Sequence, residues 1–448
     1  MKETLIDIET YSEVDIGKCG LYRYATDPSF EILLIAWATD EGDGFGETRC
    51  ADLASGEPLP EELLEDFQSG NVRLIAHNAS FERVCFSVHL QRHLPGQYLK
   101  PGEFLSPDSW ICTMVMAASL TLPMALKDVG TVLKTSQQKD KEGERLIKLF
   151  SMPCKPTKSN GMRTRNLPEH NPADWEKFKY YCIQDVNTEV DIYKRLKKFP
   201  MPEHYRVNER INDRGVKIDT ELVQQAIACD LMLSDAMSKK AYELTGLENP
   251  NSVSQLKSWL DERGIPMDTL GKKDVAQMIE ELDKNGVDAE AMDMLKLRLQ
   301  MAKSSVKKYQ AAERCVCSDG RARGLFQFYG ASRTGRYSGR NIQLQNLPQN
   351  HISTLDEARE LVKLGCFDMV ETIYGNTPDV LSQLIRTMLI PKEGCEFIVA
   401  DFSAIEARVL AWEAGEDWRL EAFLEGKDIY CASASQMFHV PVVKHGIN

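Results

Sequence analysis

The chain has 448 residues and a formal net charge of −13. That length suits two to four domains, and the negative charge argues against a protein that simply coats nucleic acid. The sequence has neither a stretch of about 18 apolar residues nor a basic-then-apolar amino terminus, which argues against a membrane span or a secretory signal. Its 12 cysteines are scattered without metal-binding spacing, so we expect a reducing, cytoplasmic location and no membrane partner.

The first stretch that indicates chemistry is the alternating segment Thr4–Thr10. Ile6 and Ile8 are predicted to face one side of a strand, while Asp7 and Glu9 share the other. Two carboxylates about 7 Å apart on one strand face can converge on a pair of metal ions that promote phosphodiester cleavage. A solvent-facing acidic edge is the simpler interpretation of this motif in isolation.

The elements predicted up to residue 120 indicate an α/β fold. Strands are predicted at 31–37 and 72–77, and the first is close enough in sequence to pair antiparallel with the strand that carries Asp7. Together these strands form a mixed sheet. Helices are predicted at 80–90 and 107–120, the second beginning at a serine-proline pair.

A long helix is predicted to begin at Asn171-Pro172 and to carry Tyr181 and Asp185 on one face, one turn apart. Together with Asp7 and Glu9, this spacing resembles the tyrosine-containing DEDD-type 3′–5′ exonucleases, the proofreading domain of the family A (DNA polymerase I-like) DNA polymerases. The resemblance implies a ribonuclease H-like fold in which Asp7, Glu9 and Asp185 hold two Mg²⁺ ions, with Mn²⁺ able to substitute. Tyr181 would orient the attacking water, since a phenol can position water without competing for metal.

The middle motif of that exonuclease family is altered in this chain. The family usually has Asn-x-x-x-(Phe/Tyr)-Asp, whereas residues 77–82 read HNASFE. We expect Glu82 to replace the usual aspartate as a metal ligand, and Asn78 to hold backbone or substrate DNA near the site. Asp108 is an alternative carboxylate, although helix capping is its simpler role. His77 is expected to pack or to form local hydrogen bonds.

The prolines of residues 199–202 break the long helix and mark the first domain boundary, which gives an exonuclease domain at 1–198. Amphipathic segments between 203 and 313 predict a helical domain at 199–322, which resembles the thumb of the same polymerase family. Between Met301 and Gln345 there are nine lysines and arginines, including Lys303, against two acids. This basic belt is typical of a DNA-handling enzyme, with a solvated surface as the alternative.

A strand predicted at Leu325–Tyr329 precedes the strings SRTGRYSG (332–339) and QLQNLP (343–348). These strings resemble the TGRLSS and NLQNIP segments of the same family. The resemblance implies that primer–template DNA is held by the following side chains: Arg333, Arg336, Gln345 and Asn346. Arginine binds phosphate through its fork, and amides can read the minor-groove acceptors that every base pair presents.

The most specific string lies at residues 397–412. Phe397–Ala400 predicts a short buried strand that delivers Asp401 to a helix, and Ser403 with Glu406 predicts a capping box at the start of that helix. The segment DFSAIEAR resembles motif A of the family A polymerases, usually DYSQIELR. The resemblance implies that Asp401 ligates the two magnesium ions of nucleotidyl transfer. It also implies that Glu406 lies under the incoming sugar and helps to exclude a 2′-hydroxyl.

A family A palm also needs a fingers lysine and a second catalytic carboxylate in an H-D-E motif, and neither follows before residue 448. We therefore expect residues 323–448 to form an incomplete α+β palm that ends at the start of the fingers, and primer extension by this chain alone to be undetectable. Two explanations stay open. The sequence is a fragment of a longer polymerase, or the polymerase is assembled with a second polypeptide.

Two functions follow from these patterns. The first is the amino-terminal portion of a DNA-directed DNA polymerase with its own 3′–5′ exonuclease, acting on primer–template DNA, on single-stranded 3′ ends and, when completed, on deoxynucleoside triphosphates. Its location would be the cytoplasm of a bacterial host if the chain is phage-encoded. The alternative is a non-catalytic DNA-binding or scaffold subunit of a replication complex. The altered residue Glu82 favours the alternative, and the other exonuclease residues favour the enzyme.

Overall fold

The computed structural model describes residues 1–135, 142–286, 288–301 and 306–444. Lys303 of the predicted basic belt and the last four residues lie outside these ranges. The chain divides into two compact units, Met1–Ile390 and Pro391–Asn448. Within the described ranges, no helix combines the length and the apolar character needed to cross a membrane.

A five-stranded mixed sheet organises the first part of unit 1. Its strands are β1 (Lys2–Tyr11), β2 (Glu31–Asp40), β3 (Arg49–Asp52), β4 (Val72–Ala76) and β5 (Trp110–Cys112). The spatial order is β3-β2-β1-β4-β5, with antiparallel pairing around β2 and parallel pairing around β4. The predicted mixed sheet and the antiparallel pairing of the Asp7 strand with the next strand are therefore confirmed.

Helices cover both faces of this sheet. They are α1 (Ile16–Cys19), α2 (Leu21–Thr26), α3 (Glu61–Gln68), α4 (Ser80–His93), α5 (Thr113–Ser119), α6 (Leu126–Leu133), α7 (Gly143–Phe150) and α8 (Pro172–Leu196). Alternate residues of β1 enter two cores: Ile6 and Ile8 pack on the α4 side, and Leu5 and Tyr11 on the α8 side. Asp7 and Glu9 occupy odd-numbered positions of β1, so the strand alternation assigns both to the α8 side, opposite Ile6 and Ile8 as predicted.

The predicted helix at 107–120 is wrong in its first half. Pro107–Ser109 forms a single 3₁₀ turn, and β5 follows it and pairs with β4; only α5 is helical. Trp110 and Cys112 are buried. The backbone N–H and C=O groups of β5 form hydrogen bonds with the parallel strand β4. The spacing of residues within the segment does not reveal that partner, so the pattern alone predicts a helix.

The rest of unit 1 is mainly helical, as predicted for residues 203–313. Its helices are α9 (His204–Arg214), α10 (Thr220–Thr245), α11 (Val253–Asp261), α12 (Lys272–Asn285), α13 (Ala289–Met301), α14 (Val306–Cys315), α15 (Leu355–Lys363), α16 (Phe367–Tyr374) and α17 (Thr377–Leu384). Three short strands, β6 (Val216–Ile218), β7 (Arg321–Ala322) and β10 (Leu389–Ile390), form one small sheet. A hairpin is formed by β8 (Phe326–Ala331) and β9 (Arg336–Gly339).

Within its described residues, 391–444, unit 2 contains three helices, α18 (Ile405–Ala414), α19 (Asp417–Leu424) and α20 (Ile429–Phe438). The predicted strand at Phe397–Ala400 is wrong, because no strand is described between residues 391 and 444 and a lone strand leaves its backbone groups unpaired. The predicted capping box is also wrong. The residue before α18 is Ala404, with φ 51° and no side-chain capping hydrogen bond, so Ser403 does not occupy the cap position.

Candidate active site

Five acidic side chains from three elements of unit 1 influence one another electrostatically. Asp7 and Glu9 belong to β1, Glu82 lies in the first turn of α4, and Asp185 and Glu189 lie one turn apart on α8. Burial raises the pKa of both Glu82 and Glu189, and the charge of Asp7 raises both further, with an added contribution from Asp185 at Glu189. Because α4 begins just after β4, which runs parallel to β1, the strand order itself brings these carboxylates together.

Glu82 is a buried member of this acidic cluster that lacks a hydrogen-bond partner for one carboxylate oxygen. Its side chain is 3% exposed, and its Oε2 atom has no hydrogen-bond partner among the described residues. Burial raises the pKa of Glu82 well above its usual range, and the neighbouring carboxylates Asp7, Glu189 and Glu9 raise it further. A buried carboxylate in this setting needs either a proton or a cation.

Tyr181 and Asp185 lie one turn apart on α8, as predicted, and both are buried. Burial raises the pKa of the Tyr181 hydroxyl far above its ordinary value, and the charge of Asp185 raises it further. The phenol therefore keeps its proton at neutral pH and can act as a hydrogen-bond donor.

A chain of hydrogen-bonded polar groups next to the cluster was not predicted from the sequence. Thr113 Oγ1 donates a hydrogen bond of 2.8 Å to Glu189 Oε1 and lies 2.9 Å from His77 Nδ1. His77 Nε2 donates to the carbonyl oxygen of Met124 at 2.8 Å. His77 thus forms hydrogen bonds within the fold, although its partners lie 36 and 47 positions away in the sequence. Glu189 could have been found from its four-residue spacing after Asp185, the same signal that identified Tyr181.

Cys182, the residue after Tyr181, ties α8 to β1. Its Sγ lies 3.6 Å from Asp7 Oδ2 and 3.8 Å from the carbonyl oxygen of Asp7. Burial raises the pKa of Cys182 well above its usual value, and the charge of Asp7 adds to this effect. The group therefore remains a thiol and serves as a weak donor to one candidate metal ligand.

The donor set of the cluster fits a hard divalent cation. Carboxylate oxygens are the ligands that Mg²⁺ prefers, and the unpartnered Oε2 of Glu82 gains a partner when a cation binds. Among the described residues, however, no group of three or more histidine, cysteine, aspartate or glutamate side chains is already arranged to hold a metal ion. The carboxylate oxygens therefore suit Mg²⁺ chemically, but their side chains must change conformation before they can bind the same ion.

A cavity of about 680 Å³ lies within unit 1, and its wall includes residues 78, 80 and 81 of the segment that leads to Glu82, although none of the five acidic side chains lines it. Asn78, which has a positive φ of 76°, and Phe81 line one part of its wall, while Phe328 and Arg340 line another. A cavity of this size accommodates a nucleotide-sized group. Asn78 is therefore placed where it can contact a bound molecule.

The four candidate DNA-binding residues Arg333, Arg336, Gln345 and Asn346 are all exposed. The two arginines lie at the tip of the hairpin and at the start of β9, and the two amides lie in a 3₁₀ turn at Leu344–Asn346. The Gln345 side chain lies against Gly339, where a Cβ atom would overlap its Oε1. The amide turn and the end of β9 are thus adjacent.

In unit 2, Asp401 and Glu406 are both exposed. Glu406 lies in the first turn of α18, and Asp401 precedes that helix in irregular backbone. Arg408 donates a hydrogen bond of 2.8 Å to the carbonyl oxygen of Ser403 and stacks 4.3 Å from the ring centre of Phe423. The Arg408 side chain therefore stabilises unit 2 internally.

Comparisons with known proteins agree with one another. The family model described as DNA polymerase family A matches residues 224–446. The chain is 52% identical over 446 residues to the DNA polymerase of Bacillus phage SP02, covering 99% of this chain and 66% of that protein. It is 29% identical over 230 residues to DNA polymerase I of Geobacillus stearothermophilus, covering 50% of this chain and 23% of that protein.

One solved structure resembles the fold over almost the whole chain. The POL domain of Pol1 from M. smegmatis, in complex with DNA primer-template and dNTP, matches with a TM-score of 0.52 at 17% sequence identity. The match covers 98% of this chain and 64% of that one. The chain thus spans slightly less than two thirds of the phage relative and of this structure.

Proposed function

The chain belongs to the family A DNA polymerases, and we propose that it acts in DNA-directed DNA synthesis for a bacteriophage, with a 3′–5′ exonuclease at residues 1–198. Within this proposal, residues 199–322 form a thumb-like module that grips DNA, and residues 323–448 contribute to the polymerase palm. The similarity to the polymerase of a Bacillus phage supports a site of action in the cytoplasm of a bacterial host.

The observation that carries the exonuclease proposal is the buried acidic cluster at one end of the mixed sheet. Asp7, Glu9, Glu82 and Asp185 come from three separate elements, and Tyr181 lies beside them. The sheet order, with two antiparallel and two parallel pairings, supports a ribonuclease H-like fold. Such a concentration of buried carboxylates is costly to folding, and a function that binds cations accounts for that cost.

Divalent cations held by these four carboxylates would supply an activated water and stabilise the leaving oxygen of the cleaved phosphodiester. The protein groups supply the remainder of the chemistry. Tyr181 retains its proton and can orient the attacking water by hydrogen bonding. Asn78 can hold the 3′-terminal nucleotide from the wall of the cavity that it lines, and burial of the cluster keeps bulk water away from the reacting phosphate.

The polymerase part of the proposal assigns roles to exposed residues. Arg333, Arg336, Gln345 and Asn346 would hold primer–template DNA, since arginines suit phosphates and amides suit the minor-groove acceptors. Asp401 would bind the cations of nucleotidyl transfer, and Glu406 would contact the sugar of the incoming deoxynucleoside triphosphate.

The decisive experiment for the exonuclease is release of nucleotides from a 3′-labelled single strand. We expect release that depends on Mg²⁺ or Mn²⁺, and its loss in Asp7→Ala. The matched control is Glu47→Ala, which removes an exposed carboxylate and should leave release unchanged. Absence of release from the unsubstituted chain, or release that persists in Asp7→Ala, would favour the DNA-binding or scaffold role instead.

A further inference from the structure

Arg83, the residue after the candidate ligand Glu82, is a buried cation whose terminal nitrogens bind two carboxylates and a backbone carbonyl. Its side chain is 1% exposed. Its Nη2 donates to Glu209 Oε2 at 2.9 Å, and its two terminal nitrogens donate to the two carboxylate oxygens of Asp213 at 2.8 Å each. A further bond of 2.9 Å reaches the carbonyl oxygen of Leu105.

Both carboxylate partners lie on α9, outside the proposed exonuclease residues 1–198. Glu209 is 1% exposed and accepts a second hydrogen bond of 3.1 Å from Asn208, while Tyr22 donates to Asp213 at 2.6 Å. Removal of one partner from a buried ion pair leaves an uncompensated charge and is therefore strongly destabilising. Helix α4 is thus fixed to α9 at the residue next to Glu82.

The same helix α9 also holds the hairpin that carries the candidate DNA-binding arginines. Asn212 donates to the carbonyl oxygen of Phe326 at 2.8 Å and accepts from its backbone N–H at 3.1 Å. Arg323 donates to the carbonyl oxygen of Asp213 at 2.8 Å. One helix therefore contacts the start of β8 and, through Arg83, the helix that carries Glu82.

The position of Glu82 depends on its helix more than on its own contacts. Its Oε2 atom has no hydrogen-bond partner among the described residues, so no protein group holds that oxygen in place. The location of this carboxyl relative to Asp7 therefore follows from where α4 lies. Arg83 is the side chain on the adjacent residue that fixes this helix to a neighbouring element.

We infer that Glu209 and Asp213 are positioning residues of the exonuclease site: they hold Arg83, and through α4 they set the position of Glu82. The inference rests on the proposed exonuclease function. Under this inference, cation binding at the acidic cluster depends on α9. This helix lies outside residues 1–198 and also contacts the hairpin formed by β8 and β9. A purely structural ion pair would stabilise the fold without affecting cation binding.

The test compares Glu209→Gln and Asp213→Asn with Asp66→Asn in the full chain. Asp66 is a buried acid of the same sheet region, paired with Lys2 and Thr4 at 2.7 Å each and not with α4. We expect the two α9 variants to raise the Mg²⁺ concentration for half-maximal nucleotide release by about 10-fold, the usual effect of losing an outer support of a metal ligand. Asp66→Asn should lower the unfolding midpoint without that shift.

Electron paramagnetic resonance measures Mn²⁺ binding at the same site without requiring nucleotide release. Weaker binding by Glu209→Gln than by Asp66→Asn supports the positioning role even when no nucleotide release is found, in which case the proposed exonuclease alone fails. Unchanged cation dependence in folded Glu209→Gln and Asp213→Asn overturns the inference. If Glu209→Gln does not fold, Asp213→Asn, whose side chain is 18% exposed, provides the same comparison.

Discussion

Gly143 lies directly against the ring of Tyr181, so closely that a Cβ atom at position 143 would overlap the ring carbons. Gly143 is the first residue of α7 and is buried, and its φ is not in the left-handed region. The glycine is therefore required by the space that the tyrosine occupies and not by its own backbone conformation.

We predict that Gly143→Ala lowers the rate of nucleotide release by about 10-fold or more, because it displaces the phenol that orients water. Gly70→Ala is the matched control, since Gly70 has an ordinary φ and open space around it. In a Tyr181→Ala background the ring is absent, so Gly143→Ala should have no further effect. A rate loss that is equal in both backgrounds would contradict the steric explanation.

Much of the acidic cluster could be predicted from the sequence, because its signals are local. The period of two in β1 assigns Asp7 and Glu9 to one face of the strand. The four-residue spacing in α8 assigns Tyr181 and Asp185 to one face of the helix. The polar chain through Thr113 could not be predicted, since it joins residues 36 and 76 positions apart by side-chain hydrogen bonds. Such contacts depend on how the elements pack, which spacing does not encode.

Two of the errors, the helix predicted where β5 lies and the strand predicted at Phe397–Ala400, share one physical cause. The segments that contain β5 and Phe397–Ala400 have similar strand-like composition, yet only the first forms a strand. A strand needs a partner for its backbone groups, and β4 provides one for β5. Between residues 391 and 444 no strand is described, so Ile398 and Val399 are each 90% exposed. The intrinsic β-propensity of a segment therefore does not decide by itself whether the segment forms a strand.

The raised pKa of Glu82 predicts that the metal-free protein loses stability as pH rises. In the unfolded chain Glu82 ionises near its ordinary pKa of about 4.5, whereas in the folded protein it keeps its proton to higher pH. The folded state then binds more protons, so the free energy of unfolding falls as pH increases through this interval. Glu82→Gln should remove this contribution and stabilise the metal-free protein at neutral pH.

Urea unfolding at several pH values in a chelating buffer measures the effect of Glu82→Gln. Glu41→Gln replaces an exposed carboxylate and serves as the control. The same Glu82 variant should lose nucleotide release, so gain of stability and loss of activity are expected together. Equal pH dependence of the two variants would refute the assignment of this effect to Glu82.

His89 gives a pH dependence of the opposite sign. Burial lowers the pKa of His89 to about 4, and the nearby His93, whose ring centre is 4.3 Å away, and Arg92 lower it further. Between about pH 4 and pH 6.5 the unfolded state binds the additional proton, so stability falls as pH is lowered, by up to about 3 kcal/mol. His89→Gln should flatten this part of the profile, whereas His204→Gln, at an exposed position, should not.

Gly339 offers a test of the proposed primer–template contacts. A Cβ atom at this position would overlap Gln345 Oε1 and would lie 3.0 Å from the Cα of Gln343. Gly339→Ala should therefore move the Gln345 amide and weaken binding of a primer–template duplex by about fivefold, the equivalent of one hydrogen bond of about 1 kcal/mol. Fluorescence anisotropy at fixed salt concentration measures this change, because salt alters phosphate contacts independently.

The control for Gly339→Ala is Gly46→Ala, because the nearest atom to a Cβ at Gly46 is the carbonyl oxygen of Thr39 at 3.8 Å. If the loss arises through Gln345, then Gln345→Ala should weaken binding by a similar factor, and the double variant should be no weaker than Gln345→Ala alone. Additive losses would show instead that the alanine acts by distorting the hairpin end itself, independently of the Gln345 amide.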